Sequence, residues 1–262
     1  MGSHRFAVVG DNTIDRYVGA EQQDLVGGNA VNVAVQLALS GERVRYYGAV
    51  ADDDDGAFIR AVLLDSGVDV GGLVVLPGKT AVTLIRVLPD GDRVFEREDF
   101  GVTADYVPAP EHVQEIADSD WVQLGMLPDA GKLRDQLPDI RIGQDCAVAA
   151  GFDGLAVAFG SVGAEDPSSF ARAALEGGAE LAVVTRGALG AIAYPASGNP
   201  VAVDAAPTQV VDTTGAGDSF IAGFIAARAA GSSVESALAD GARWAAVTCE
   251  HRGGFPQERR YA

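Results

Sequence analysis

The chain has 262 residues, 37 acidic side chains against 19 basic ones, a formal net charge of −18, and hydrophobic residues at 48%. That is the composition of a folded globular protein long enough to bury one large α/β core. The acidity excludes a nucleic-acid backbone or an anionic membrane as partner, since both need clustered Lys and Arg. A phosphorylated ligand held by backbone amides and a metal ion is compatible with it.

Other classes drop out as quickly. No apolar run is long enough for a membrane helix, and no basic-then-apolar signal peptide opens the chain. Residues 1–4 look like an expression remnant, so His4 is left out of any site. Cys146 and Cys249 stand alone, which argues against a disulfide framework and for a reducing, cytoplasmic setting. The three histidines lack metal-ligand spacing.

In chain order, short β-rich apolar runs alternate with Ala-rich helical stretches, the pattern of βα units around a mainly parallel sheet. Residues 6–9 read as a buried strand ending at Gly10-Asp11. Residues 30–39 read as a helix stopped by Gly41. A strand over 44–50 leads to a helix over 57–64, with the acidic run 52–55 suited to its N-terminus. Residues 80–95 differ: alternating side chains, a turn at 89–92 and a return strand predict an antiparallel hairpin. Pattern alone leaves an edge hairpin of the main sheet and a cover over a ligand equally open. Strands follow at 121–124, 147–149, 156–159 and 181–185, with shorter meander strands at 192–194 and 201–203. Two helices, 216–229 and 234–248, close the chain, with Gly231 between them.

The most informative string is Asp212-Thr213-Thr214-Gly215-Ala216-Gly217-Asp218-Ser219-Phe220. Small residues let the backbone turn its N–H groups toward one point, and the helix that follows adds its positive end there. Gly215, Ala216 and Gly217 thus form a candidate anion hole for a phosphoryl group. A carboxylate at its mouth, Asp218, makes sense as the acceptor of a proton from an attacking hydroxyl. The bland alternative is a Gly-rich helix start with Asp218 as a first-turn acid. Asp11 and Asp15 follow strand one, where ligands of open α/β sheets bind, and are candidates to accept from sugar hydroxyls. A turn-forming role is the alternative for Asp11 and Asn12. Gly27 and Gly28 permit close backbone approach, and Gly28, Asn29 and Asn32 share one helix face. No Walker A string is present, so P-loop chemistry is excluded. Ser219 lacks the Gly-x-Ser-x-Gly elbow of a serine hydrolase.

The nine-residue string resembles the C-terminal signature of the ribokinase-like (PfkB) carbohydrate kinases, and Gly27 to Ala34 resembles their first signature. Within the family, Gly10-Asp11-Asn12, residues 28–35, residues 217–224, Asp92-Arg93-Val94-Phe95 and the 101–105 segment are most similar to fructoselysine 6-kinase-like proteins. The resemblance implies a single ribokinase-like α/β domain over 1–262: a doubly wound, mainly parallel sheet flanked by helices. It also implies a small antiparallel β lid formed by about 13–26 and 78–101. The implied activity is ATP-dependent phosphorylation of a sugar's primary hydroxyl, with Asp218 as base and Asp11, Asp15, Gly27, Gly28, Asn29 and Asn32 on the sugar. A ribose, fructose or nucleoside acceptor and a non-catalytic sugar-binding protein are the rivals.

The resemblance also assigns the nucleotide side. Thr185, Arg186, Gly187 and Gly190 match the family's Thr-Leu-Gly-x-x-Gly loop, with Arg186 in place of the usual apolar residue. Gly253 matches the glycine closing the adenine pocket. Glu165 stands where relatives hold Mg2+ through water, although the family's Asn is missing. Asp212 and Thr214 stand where relatives bind a monovalent cation such as K+ through carbonyl oxygens. Gly125 replaces a glutamate of ribose kinases, which implies room for a bulkier sugar. A homodimer paired through the lid is a further implication.

Overall fold

The computed structural model describes residues 3–19, 22–87 and 93–261. The chain runs β1 (Arg5–Val9), β2 (Thr13–Val18), β3 (Gln23–Gly27), α1 (Asn29–Leu39), β4 (Arg43–Val50), α2 (Asp54–Asp65) and β5 (Asp69–Val75). It continues through β6 (Val82–Val87), β7 (Arg93–Asp99), α3 (Pro110–Ala117), β8 (Trp121–Leu124), α4 (Ala130–Arg134), β9 (Ile142–Asp145), β10 (Val157–Ser161) and α5 (Ser168–Glu176). The last elements are β11 (Leu181–Thr185), β12 (Ala191–Pro195), β13 (Val201–Val203), α6 (Ala216–Ala229), α7 (Val234–Thr248) and β14 (Arg260–Tyr261).

Among the described residues the main sheet has nine strands in the order β13-β12-β11-β10-β9-β8-β1-β4-β5. The run from β11 to β5 is parallel throughout, while β12 and β13 add an antiparallel edge. Strand alternation supplies both faces. In β1, Phe6 and Val8 join the apolar layer under α1, α2, α6 and α7. Ala7 and Val9 join the layer under α3, α4 and α5. The order turns at β1, which lies between β4 and β8, so the crevice beyond its C-terminal end is the expected ligand position.

The second sheet has the order β14-β3-β2-β6-β7. Its pairings are antiparallel except β2 with β6, which run parallel. The return strand expected after residue 80 is β7, with a register shift between Leu84 and Ile85; the turn expected at 89–92 lies outside the described residues. Asp53 joins this sheet to the main body. Its carboxylate caps α2 by accepting from the Gly56 N–H at 2.8 Å, and also accepts from the Thr80 N–H at 2.9 Å, just ahead of β6. These bonds hold its carboxyl below the ordinary range, against the effect of burial. Within the acidic run 52–55, Asp53 is thus the cap that its position suggests, while Asp55 pairs with Arg16 and Arg260.

One strand lies elsewhere than expected. Residues 147–149 form a turn, and the strand is β9, five residues earlier. The Ala147 N–H is taken by the Asp145 carboxylate at 2.9 Å, and the Ala149 carbonyl accepts from the Gln144 side chain at 3.0 Å. Side chains thus compete with the sheet for that backbone. Among the described residues, no helix is long and apolar enough to cross a membrane.

Candidate active site

The site is assembled at the C-terminal ends of β1 and β9, where the N-terminal turns of α1 and α6 converge. The loop after β1 is pinned from below. Tyr46 of β4 donates to the Gly10 carbonyl at 2.7 Å, and the Asn12 amide donates to Tyr46 and to the Ala49 carbonyl. Asn12 is thus a fixed structural residue, 1% exposed.

Asp11 has a structural task. One carboxylate oxygen accepts from the Asn29 N–H at 2.7 Å; the other accepts from the N–H groups of Ala30 at 3.2 Å and Met126 at 3.1 Å. Helix α1 begins at Gly28, which has no side chain to cap it, so Asp11 satisfies its first amides from across the loop. Both oxygens are engaged by backbone, so the carboxylate expected on the sugar also holds the start of α1. Burial still pushes its carboxyl up, against those hydrogen bonds.

Asp15 on β2 keeps its carboxylate unengaged by any described residue and is 8% exposed. Burial first, then the charges of Asp212, Asp11 and Glu98, push it up to about 7. Gly27 faces it across the β2–β3 pair, and a Cβ there would collide with the Asp15 carboxylate. A Cβ on Gly28 would come within 2.7 Å of the Asn12 Cα. The double glycine is what allows these two loops to touch.

Asp218 stands in the first turn of α6, half-buried. Its two oxygens accept from the side-chain amides of Asn29 at 2.6 Å and Asn32 at 2.7 Å. The Asn29 amide donates as well to Asp145 at 2.8 Å. The asparagines therefore hold the acid, and their own oxygens remain buried without hydrogen-bond partners among the described residues. Burial is the main cause that pushes Asp218 up to about 8; the Asn32 bond opposes it, and the charges of Asp145 and Asp11 add to it.

Gly215 precedes α6 with φ 73°, the left-handed region, and a Cβ on it would collide with Gly254. A Cβ on Gly217 would point into open space. The Ala216 N–H, expected in the anion hole, is bonded to the Thr213 carbonyl at 3.2 Å. Ala216 thus shapes the turn while its amide is engaged. Asp212 ties the loop together, accepting from the N–H groups of Thr214 at 2.8 Å and Gly253 at 2.9 Å.

Thr185 ends β11, and Arg186, Gly187 and Gly190 form the tight turn into β12, closed by the Arg186 N–H donating to the Gly190 carbonyl at 2.8 Å. The Arg186 Nε is buried without a hydrogen-bond partner among the described residues. Glu165 lies exposed in the turn after β10 beside Asp166, and among the described residues no group of three or more His, Cys, Asp or Glu is placed to hold a metal ion. Gly125 does not open room for a larger sugar. A Cβ there would come within 2.7 Å of the Asn29 Oδ1 and 3.0 Å of Ala30, so the glycine admits the N-terminus of α1. A cleft of about 510 Å³ lined by Arg5, Glu42, Arg43, Asp69 and Glu115 opens at the opposite, N-terminal edge of the strands, away from all of these groups.

Sequence reasoning missed Asp145. It is the last residue of β9, at the C-terminal end of a parallel strand, where ligands of such sheets bind. Placing that strand five residues late hid it.

Comparison with known proteins decides what this arrangement belongs to. The model of the pfkB family carbohydrate kinases matches residues 15–134 and 147–258. The chain belongs to the pfkB family. It is therefore a carbohydrate kinase, a phosphotransferase with an alcohol group as acceptor. It is 33% identical to the fructoselysine 6-kinase of Escherichia coli, over 95% of this chain and 98% of that protein. It is 28% identical to a fructosamine kinase of Bacillus subtilis, over 96% and 93%. The fold of this pfkB kinase matches the Arabidopsis thaliana ribokinase solved with ribose and ATP, with a TM-score of 0.87 and 20% identity, covering 96% of this chain and 94% of that one.

Proposed function

We propose that this kinase transfers the γ-phosphoryl group of ATP to a primary hydroxyl of a sugar derivative of the fructoselysine class. The observation that carries the reading is the Asp218 carboxylate. It stands beside the open face of Gly217, is held through both oxygens by Asn29 and Asn32, and is pushed up to about 8. A base in that range is matched to taking a hydroxyl proton near neutral pH.

The reaction is an in-line displacement. Asp218 takes the proton of the acceptor hydroxyl as its oxygen bonds to the γ-phosphorus. The bond from that phosphorus to the bridging oxygen breaks, and ADP leaves. The Gly215 and Gly217 amides and the positive end of α6 stabilise charge on the transferred group. Asp15 accepts hydrogen bonds from the sugar, and the free oxygens of Asn29 and Asn32 accept others, with Gly27 and Gly28 giving close approach.

Thr185, Arg186, Gly187, Gly190 and Gly253 line the nucleotide. The unpartnered Arg186 Nε fits a phosphate oxygen. One exposed carboxylate, Glu165, fits magnesium, which keeps most of its waters and shares the nucleotide's phosphates, and would there neutralise phosphate charge. The carbonyls of Asp212 and Thr214 are the proposed seat of a monovalent cation.

The second sheet acts as the lid over the sugar. Asp15, Thr83 and Glu98 are cross-strand partners in it, which puts acids on the face that bears Asp15. A protonated amine on the sugar suits that face better than a neutral sugar does. The kinase is placed in the cytoplasm, and pairing of two lids along the β7 edge is the proposed route to a dimer.

The test is ADP formation from ATP with fructoselysine, fructose, ribose and nucleosides. The reading expects fructoselysine to give the highest kcat/KM. A higher value for ribose or a nucleoside would move the acceptor elsewhere on the same fold. Sugar binding with no ADP from any acceptor would make the chain a non-catalytic binder.

A further inference from the structure

A second carboxylate lies at the centre of the site, and the transfer described above leaves it without a task. Asp145 ends β9, and one of its oxygens accepts from the same Asn29 side-chain nitrogen that donates to Asp218. The two protons of one amide are thus divided between two acids, at 2.8 Å and 2.6 Å. Asp145 is itself held in place. Its other oxygen accepts from the Ala147 N–H at 2.9 Å.

The loop behind it is fixed by two buried side chains. Gln144 donates to the carbonyls of Ala149 and Gly151, both at 3.0 Å. Arg134, 5% exposed, donates to Gln144 and to the Ala150 carbonyl, and pairs with Asp153. A primary amide with one proton anchored on a fixed acceptor has its second proton aimed, because the two N–H bonds lie in one plane at a set angle.

We propose that Asp145 is a positioning residue for phosphoryl transfer: by anchoring one N–H of Asn29 it directs the other onto Asp218, and so sets the orientation of the carboxylate that takes the proton. The proposal rests on Asp218 being the base. A second consequence follows from charge. Asp145 and Asp11 are the anions that face Asp218, one from the end of β9 and one from the loop after β1, while α1 presents only the neutral Asn29 and Asn32. Both anions oppose the ionisation of Asp218, and so strengthen it as a base once it is ionised. Asp145 is pushed up by its own burial, against the bonds from Ala147 and Asn29.

The experiment is the kcat/KM–pH profile of the full chain with ATP and fructoselysine, for wild type, Asp145→Asn, Asp145→Ala and Asp218→Asn. Asparagine at 145 still accepts from Asn29 through its oxygen but carries no charge. Asp145→Asn is expected to move the acidic limb down by about one pH unit and to lower the plateau roughly 3- to 10-fold. Asp145→Ala is expected to move the limb similarly and to lower kcat by about 10²-fold, with KM for ATP changing less than about threefold. The gap between the two variants is rescue by the retained hydrogen bond. A limb at the wild-type pH in both variants, with Asp218→Asn inactive, would overturn the role of Asp145 while leaving the base assigned. Near-normal turnover by Asp218→Asn would instead remove the base itself, and this proposal with it.

Discussion

Replacing Asp218 by asparagine is expected to stabilise the folded chain increasingly as pH rises. The carboxyl titrates near 3.8 when solvated and at about 8 in the folded site, chiefly through burial. A carboxyl whose folded value is raised favours the folded state in its protonated form. That contribution is complete below pH 4 and is lost as pH climbs through 8. Between pH 5 and 8 the unfolded group is ionised throughout, whereas the folded group ionises only near the top of that range. Wild-type stability therefore falls by up to about 1.4 kcal/mol per pH unit on this account, roughly 3–4 kcal/mol in all. Asp218 is half-buried, so solvent screening reduces the expected change to about 1–2 kcal/mol. The asparagine cannot accept through both positions from Asn29 and Asn32, which costs about 1 kcal/mol at every pH and leaves the slope untouched. Urea unfolding of wild type and Asp218→Asn at pH 5, 6, 7 and 8 measures it. The difference is expected to shift steadily toward the variant. A difference that is constant with pH, or that moves toward wild type, would refute the burial argument.

Four further outcomes follow. Removing Asp11 as Asp11→Ala strands the N–H groups of Asn29, Ala30 and Met126 and is expected to lower unfolding free energy by about 3 kcal/mol; a raised sugar KM with unchanged stability would instead make Asp11 a ligand contact. Gly27→Ala pushes a methyl group against the Asp15 carboxylate and is expected to raise KM for the sugar about tenfold, leaving KM for ATP in place. Gly215→Ala meets both a left-handed backbone and Gly254, and is expected to lose about 2–3 kcal/mol of stability, whereas Gly217→Ala keeps its melting temperature and raises KM for ATP. The kcat/KM profile is expected to rise through pH 7 to 8 as Asp15 (about 7) and Asp218 (about 8) ionise, with a limiting slope near two below them; a single limb near pH 4 would contradict it.

Periodicity and turn chemistry made much of the fold legible. Helices α6 and α7, the parallel strands β1, β4, β8, β10 and β11, and the β6–β7 pair all lie where residue patterns put them, because each carries its own hydrophobic pattern and turn residues. Strand β9 was not legible. Ala147-Val148-Ala149 has the composition of a strand, yet the Asp145 and Gln144 side chains take its backbone groups. The second sheet was hard to see for another reason. Thr13 to Val18 carries Asp15 toward one side and Arg16 toward the other, where Arg16 pairs with Asp24 and Asp55, so no apolar alternation announces it.

In the site, the Gly-rich start of α6 and the first-turn acid Asp218 are visible in the string itself. The partners of Asn29 are not. Asp145 lies 116 residues away and Asp218 lies 189 away, so only the folded chain shows that the amide is held by carboxylates. The engagement of Asp11 by three amides and the filling of the space beside Gly125 by α1 are long-range in the same way.

Rapid-quench single turnover with γ-labelled ATP and fructoselysine tests the central claim most directly, because it reads the transfer step apart from product release. Wild type is expected to place the label on the sugar's primary hydroxyl. Asp218→Asn is expected to bind ATP within about threefold of wild type and to transfer roughly 10²–10⁴-fold more slowly. Transfer by Asp218→Asn at a near-normal rate would contradict the account.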